Sequence, residues 1–81
     1  MGTRLAILGI IIEDANAANA VQDLLHGAAA YIIGRMGIPY EKRGVSIISV
    51  ALDAPADLIN TLAGKLGSLP GVSARAIYAK N

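Results

Sequence analysis

Two eight-residue stretches, 5–12 and 45–52, contain no charged side chain and are built from Ile, Leu, Val, Ala, Ser and Gly. Runs this short and this rich in β-branched residues favour strands over helices. In the first, Leu5, Ile7, Gly9 and Ile11 alternate with Ala6, Leu8, Ile10 and Ile12, so both sides are apolar. In the second, Ser46, Ile48, Val50 and Leu52 alternate with Val45, Ile47, Ser49 and Ala51. A strand apolar on both sides belongs in the middle of a sheet, with something covering each face.

Between and after these strands the period changes. Glu13, Asp14 and Asn16 form a polar turn, in which Asp14 or Asn16 is suited to cap a helix. From Ala17 the apolar positions Val21, Leu24, Ala28 and Ile32 recur at helical spacing, and Leu25 widens the stripe. The pattern predicts a first helix reaching about Arg35, with Gly34 and Gly37 as stop signals and Gly37 as a left-handed cap. Residues 38–42 then read as a more polar strand near an edge because of Pro39, followed by a hairpin turn at Lys42, Arg43 and Gly44. Asp53 is predicted to cap a second helix with Pro55 near its first position. Its buried stripe is Leu58, Ile59, Leu62, Ala63 and Leu66, and Gly67 ends it. Pro70 and Gly71 turn the chain into a last strand, 72–78.

The order β-α-β-β-α-β with right-handed crossovers predicts an α+β, ferredoxin-like domain spanning residues 1–81. Its four-stranded antiparallel sheet, in the order 4-1-3-2, has both helices on one face. The other face is then left with aliphatic side chains and no cover, an aggregation liability. Packing against the same face of a second copy is the simplest remedy. The expected partner is therefore the chain itself, as a homodimer or a dimer-based oligomer, with room for an unidentified small ligand or protein partner.

Composition narrows the function classes. The chain has 81 residues, 54% of them hydrophobic, a formal charge of +1, no Cys and one His. Thiolate metal sites and cysteine nucleophiles are excluded, and so small a net charge gives no general attraction to nucleic acid or acidic membranes. The longest apolar run is far shorter than the roughly 20 residues of a spanning helix. Glu13 and Asp14 follow it at once, unlike a secretory leader, so a cytoplasmic location is expected.

Particular phrases carry a family likeness: Gly34-Arg35-Met36-Gly37-Ile38-Pro39-Tyr40, then 45–52, then Leu62-Ala63-Gly64-Lys65-Leu66-Gly67 and Leu69-Pro70-Gly71-Val72. With the acidic turn at Glu13-Asp14 and Leu24-Leu25-His26, they resemble the small stand-alone ACT-like proteins named iron-only hydrogenase system regulators. The resemblance implies an oligomeric ferredoxin-like subunit, similar also to the C-terminal domain of nickel-responsive repressors. Those domains hold metal through several His and a Cys, whereas here His26 stands alone, so the nickel site does not carry over. Amino-acid-binding ACT domains commonly have a Gly in the first strand-to-helix turn; Glu13, Asp14, Ala15 and Asn16 occupy it here.

No nucleophile, base and orienting group stand out together, so no catalytic residue, metal or cofactor is predicted. The candidate ligand or interface residues are Glu13, Asp14, Asn16, Arg35, Tyr40 and Arg75. Glu13 and Asp14 also suit a helix start without any ligand. If the first and last strands are neighbours, Arg4 and Arg75 share a region of the sheet where an Arg could contact a carboxylate. The reading is a regulatory, sensor-type module that acts through self-association. An assembly accessory without a ligand and, less well supported, a small enzyme with its site between subunits are the alternatives.

Overall fold

The computed structural model describes residues 2–80. Its strands are β1 (Arg4–Ile12), β2 (Ile32–Tyr40), β3 (Val45–Ala54) and β4 (Val72–Tyr78), with helices α1 (Ala18–Gly27) and α2 (Ala56–Gly67). The strands form one antiparallel sheet in the order β2-β3-β1-β4, the predicted order read from the opposite edge. The two uncharged runs lie side by side at its centre, with Leu8 opposite Val50 and Ile10 opposite Ile48.

One side of the sheet meets both helices. Leu8, Val50 and Leu52 are wholly buried there against Val21 and Leu25 of α1 and Ile59 and Leu66 of α2. Burying each such aliphatic side chain contributes about 1.5–3 kcal/mol. Ala6, Ala54 and Ala28 belong to the same core, where small side chains let the layers approach closely. The side chains of α2 that enter the core are the stripe positions Ile59, Leu62 and Leu66.

The sequence reading departs from the structure in the first connection. α1 ends at Gly27, not near Arg35, and a 3-10 turn over Ala29–Tyr31 leads straight into β2. Gly34 and Gly37 therefore sit inside β2, which begins six residues before 38 and ends at Tyr40. Neither has a positive φ; among the described residues only Gly44 and Gly71 do. Ile32 explains the misreading, because it does reach the core, but it does so from a strand paired with Leu52. Pairing from Ile32↔Leu52 to Tyr40↔Val45, irregular only between Ile32 and Gly34, gives the backbone of β2 its partners, and two consecutive β-branched Ile favour it.

The second helix start also differs. Asp53 does not cap α2; it remains in β3, opposite Leu5, while Pro55 is itself the residue before the first helical turn. A proline there loses nothing, since its missing N–H would lack an intrahelical partner anyway. At the other end Ser68 Oγ donates to the Lys65 carbonyl at 2.7 Å, occupying one of the helix's terminal acceptors. The hairpin turn is as read, with Gly44 left-handed at φ 66° after Glu41–Arg43.

Candidate functional site: the uncovered sheet face

The alternation of β1 and β3 sends one set of side chains into the core and the other to the side without helices. Across that second face the strands place Gly34, Ala51, Ile7 and Ile77 in one row. The next row is Met36, Ser49, Gly9 and Arg75, and the third is Ile38, Ile47, Ile11 and Ser73. An extra residue in β2 between Ile32 and Gly34 brings Ile33 to the same side, where it lines a shallow depression with Leu5 and Ile77.

Ten large apolar side chains are exposed among the described residues, and Tyr31 alone lies outside the strands of this face. The other nine are Leu5, Ile7, Ile11, Ile33, Met36, Ile38, Tyr40, Ile47 and Ile77, with Ile77 70% accessible and Ile33 64%. Isolated exposed aliphatics are ordinary, whereas a contiguous patch of this kind marks an interaction surface.

The face has little charge. Among its paired positions only Asp53, opposite Leu5, and Arg75, opposite Gly9, are residues of a charged type. Four residues along and two strands across separate them by roughly 16 Å on ordinary strand spacings, too far for an ion pair. No side-chain hydrogen bond or ion pair engages Arg75 among the described residues. Beside it lies a groove of about 340 Å³ whose lining includes Gly9, Ile11, Ile47, Ser49 and Ser73.

The six residues singled out from the sequence do not converge. Asp14 Oδ1 accepts from the Asn16 backbone N–H at 2.9 Å, fixing the turn, and the Glu13 N–H donates to the Gly71 carbonyl at 2.7 Å. Arg35 pairs with Val50, on the helix side of the sheet, and its Nη2 donates to Gln22 Oε1 at 2.6 Å. Tyr40 and Arg75 share the uncovered face, at its β2 corner and midway along β4. Arg4 and Arg75 come from neighbouring strands but occupy opposite sides. The Arg4 guanidinium lies 4.6 Å from the Tyr78 ring centre and donates to the Ala79 carbonyl at 2.9 Å. Gly9, Ser49 and Ser73 escaped the site reading; their signal was the alternation itself, which puts them on the face of Arg75, Gly9 and Ser49 in its row and Ser73 two residues before it on β4.

The helix side offers a second groove, about 430 Å³, floored by Leu24, Leu58 and Leu62 and rimmed by Asp23, Asp57 and Lys65. Its charged rim is what a solvated helix surface carries. Among the described residues there is no group of three or more His, Cys, Asp or Glu placed to hold a metal ion, and no helix is long and apolar enough to cross a membrane.

Sheet order, antiparallel pairing and helices on one side define the protein as an α+β chain of the ferredoxin-like class. Residues 4–76 match the family model described as "TM1266-like: Iron-only hydrogenase system regulator, putative", and the chain belongs to that family. It is similar to the uncharacterized protein TM1266 from Thermotoga maritima, at 33% identity and a TM-score of 0.92 over 96% of this chain and 99% of that one. The C-terminal domain of the MgtC protein from Mycobacterium tuberculosis shares the fold at 14% identity, with a TM-score of 0.75 over 99% of this chain and 92% of that one. A nitrogen regulatory PII-like protein from Thiomonas intermedia K12 shares it at 21% identity, with a TM-score of 0.57 over 96% and 92%. No curated protein matches the sequence.

Proposed function

We propose that residues 1–81 act as one ferredoxin-like regulatory domain, without catalytic activity of its own, that works as a homodimer or an assembly of dimers joined through the uncovered sheet face. The family description as a regulator of the iron-only hydrogenase system supports the regulatory role. The observation that carries the assembly is the set of nine large apolar side chains on one uncovered face.

The size of that face favours a second copy. Four strands of about nine residues give a footprint of roughly 19 Å by 30 Å, about 550 Å² in plan per protomer before the corrugation of side chains is counted. Two such faces give about 1,100 Å² in plan, and side-chain corrugation brings them to the range of a stable interface, which buries about 1,200–2,000 Å² in total. A two-fold pairing of identical faces satisfies the same residues on both partners and closes on itself. Sedimentation equilibrium at micromolar concentration tests the reading. The expected mass is that of two chains or a multiple of two, and a stable, well-behaved monomer would overturn it.

A further inference from the structure

Gly9 is the anomaly of the uncovered face. It stands in the middle of β1, between Ile7 and Ile11, where a β-branched residue would strengthen the strand. The fold of the protomer does not require it. Its φ is not positive, and a Cβ built there would meet nothing nearer than the Arg75 carbonyl oxygen at 3.9 Å, an ordinary contact. The space above Gly9 is thus open in the protomer and would be filled by any larger side chain.

Face-to-face packing makes that space consequential. Stacked sheets lie about 10 Å apart, and side chains from both inner faces fill the gap. At Gly9 the layer has a notch, and the neighbours in its row are Ser49 and Arg75. An empty notch forfeits packing, and a guanidinium carried into the same interface without a counter-charge adds a desolvation cost. No carboxylate of the protomer shares the row: Asp53 lies at one end of the face, and Glu13 follows β1 at the other.

We propose that Gly9 and Arg75 form a site for a small aliphatic carboxylate held between two subunits. The inference rests on the face-to-face dimer proposed above. The guanidinium fork matches a carboxylate, to which it can donate two parallel hydrogen bonds. Ser49 and Ser73 line the groove together with Arg75, while Ile11 and Ile47 supply apolar walls for a short hydrocarbon tail. The groove, about 340 Å³ and open in the protomer, has room for a short-chain acid together with side chains of the second sheet, which provides its lid. The ligand binds the closed dimer better than the open protomer, so its concentration sets the degree of association.

The test measures the dimer dissociation constant by sedimentation equilibrium in sodium butyrate and in sodium chloride at equal ionic strength. Butyrate at about 20 mM is expected to tighten the wild-type dimer about tenfold, with n-butanol and inorganic phosphate each giving a much smaller effect. Gly9→Val fills the notch and Arg75→Leu removes the charge; both should dimerise without responding to butyrate. Arg75→Lys keeps the charge but loses the fork and should respond weakly. A wild-type dimer indifferent to butyrate overturns the carboxylate site and leaves the dimer standing. The same holds for an undiminished response in Arg75→Leu, or for a butyrate-independent dimer that Glu13→Gln or Asp53→Asn weakens, since a partner's acid then serves Arg75. A monomer under every condition overturns the site and the dimer together.

Discussion

Gly71 lies against Asp14 so closely that a Cβ at Gly71 would fall 2.6 Å from the Asp14 Cβ and 3.0 Å from its backbone nitrogen. The contact joins the turn after β1 to the turn before β4, and the hydrogen bond from the Glu13 N–H to the Gly71 carbonyl runs through the same point. Gly71 also has φ 72°, so two independent constraints meet at one residue.

Gly71→Ala should therefore destabilise the protein by about 2–4 kcal/mol, combining left-handed strain with a clash against backbone that cannot move away freely. Gly44 supplies the control. It has φ 66° but open space around it, so Gly44→Ala should lose only about 1 kcal/mol. Urea denaturation of the two variants measures the difference. Equal losses would show that the approach to Asp14 carries no energetic weight.

Adjacent residues of β1 should behave in opposite ways. Leu8 is fully buried at the centre of the core, and Leu8→Ala should cost about 2–5 kcal/mol through lost burial and the cavity left behind. Ile7 is 51% accessible on the uncovered face, so Ile7→Ala should cost the isolated protomer less than about 1 kcal/mol. Denaturation at protein concentrations low enough to dissociate any oligomer makes the comparison clean. A large loss at Ile7 under those conditions would mean that the face is covered within the protomer.

How far the fold could be read from residues is shown by the same strand. The alternation in 5–12 and 45–52 pointed to central strands and, with the right-handed crossovers, to the sheet order and an uncovered apolar side, because a period of two sends one apolar set to each face. The boundary between α1 and β2 could not be read that way. Ala17, Val21, Leu24, Ala28 and Ile32 keep helical spacing through a point where the backbone has already left the helix, and only pairing with β3 decides the matter. Glu13, Asp14 and Asn16 were visible as a polar turn, yet their partners depend on Gly71, far along the chain. Arg75 could be named from the sequence, but not its face, since the register of β4 against β1 decides whether it meets helix or open surface.

The Arg4, Tyr78 and Asn60 side chains form a small polar cluster at the open end of the helix layer. The Tyr78 hydroxyl donates to Asn60 Oδ1 while Arg4 covers the ring. All of this is near solvent, so single removals should be mild. Tyr78→Phe should cost about 0.5–1.5 kcal/mol for one hydrogen bond, and Arg4→Ala about 0.5–1 kcal/mol for the cation over the ring. Thermal unfolding of the two single variants and the double variant measures their coupling. Losses that add without an interaction energy would show that the two contacts to Tyr78 are independent.

A charge placed on the uncovered face separates assembly from folding. Ile77 is the most accessible large apolar side chain of the face and pairs with Ile7 across β1 and β4. In an isolated protomer Ile77→Lys exchanges exposed aliphatic surface for a solvated ammonium and should leave stability within about 1 kcal/mol. In a dimer closed over that face, the same substitution drives two ammonium groups into an apolar interface and should weaken association by at least about a hundredfold. Circular dichroism and denaturation then report a folded chain while sedimentation reports a single subunit. If Ile77→Lys sediments as the wild type does, the subunits meet through some other surface.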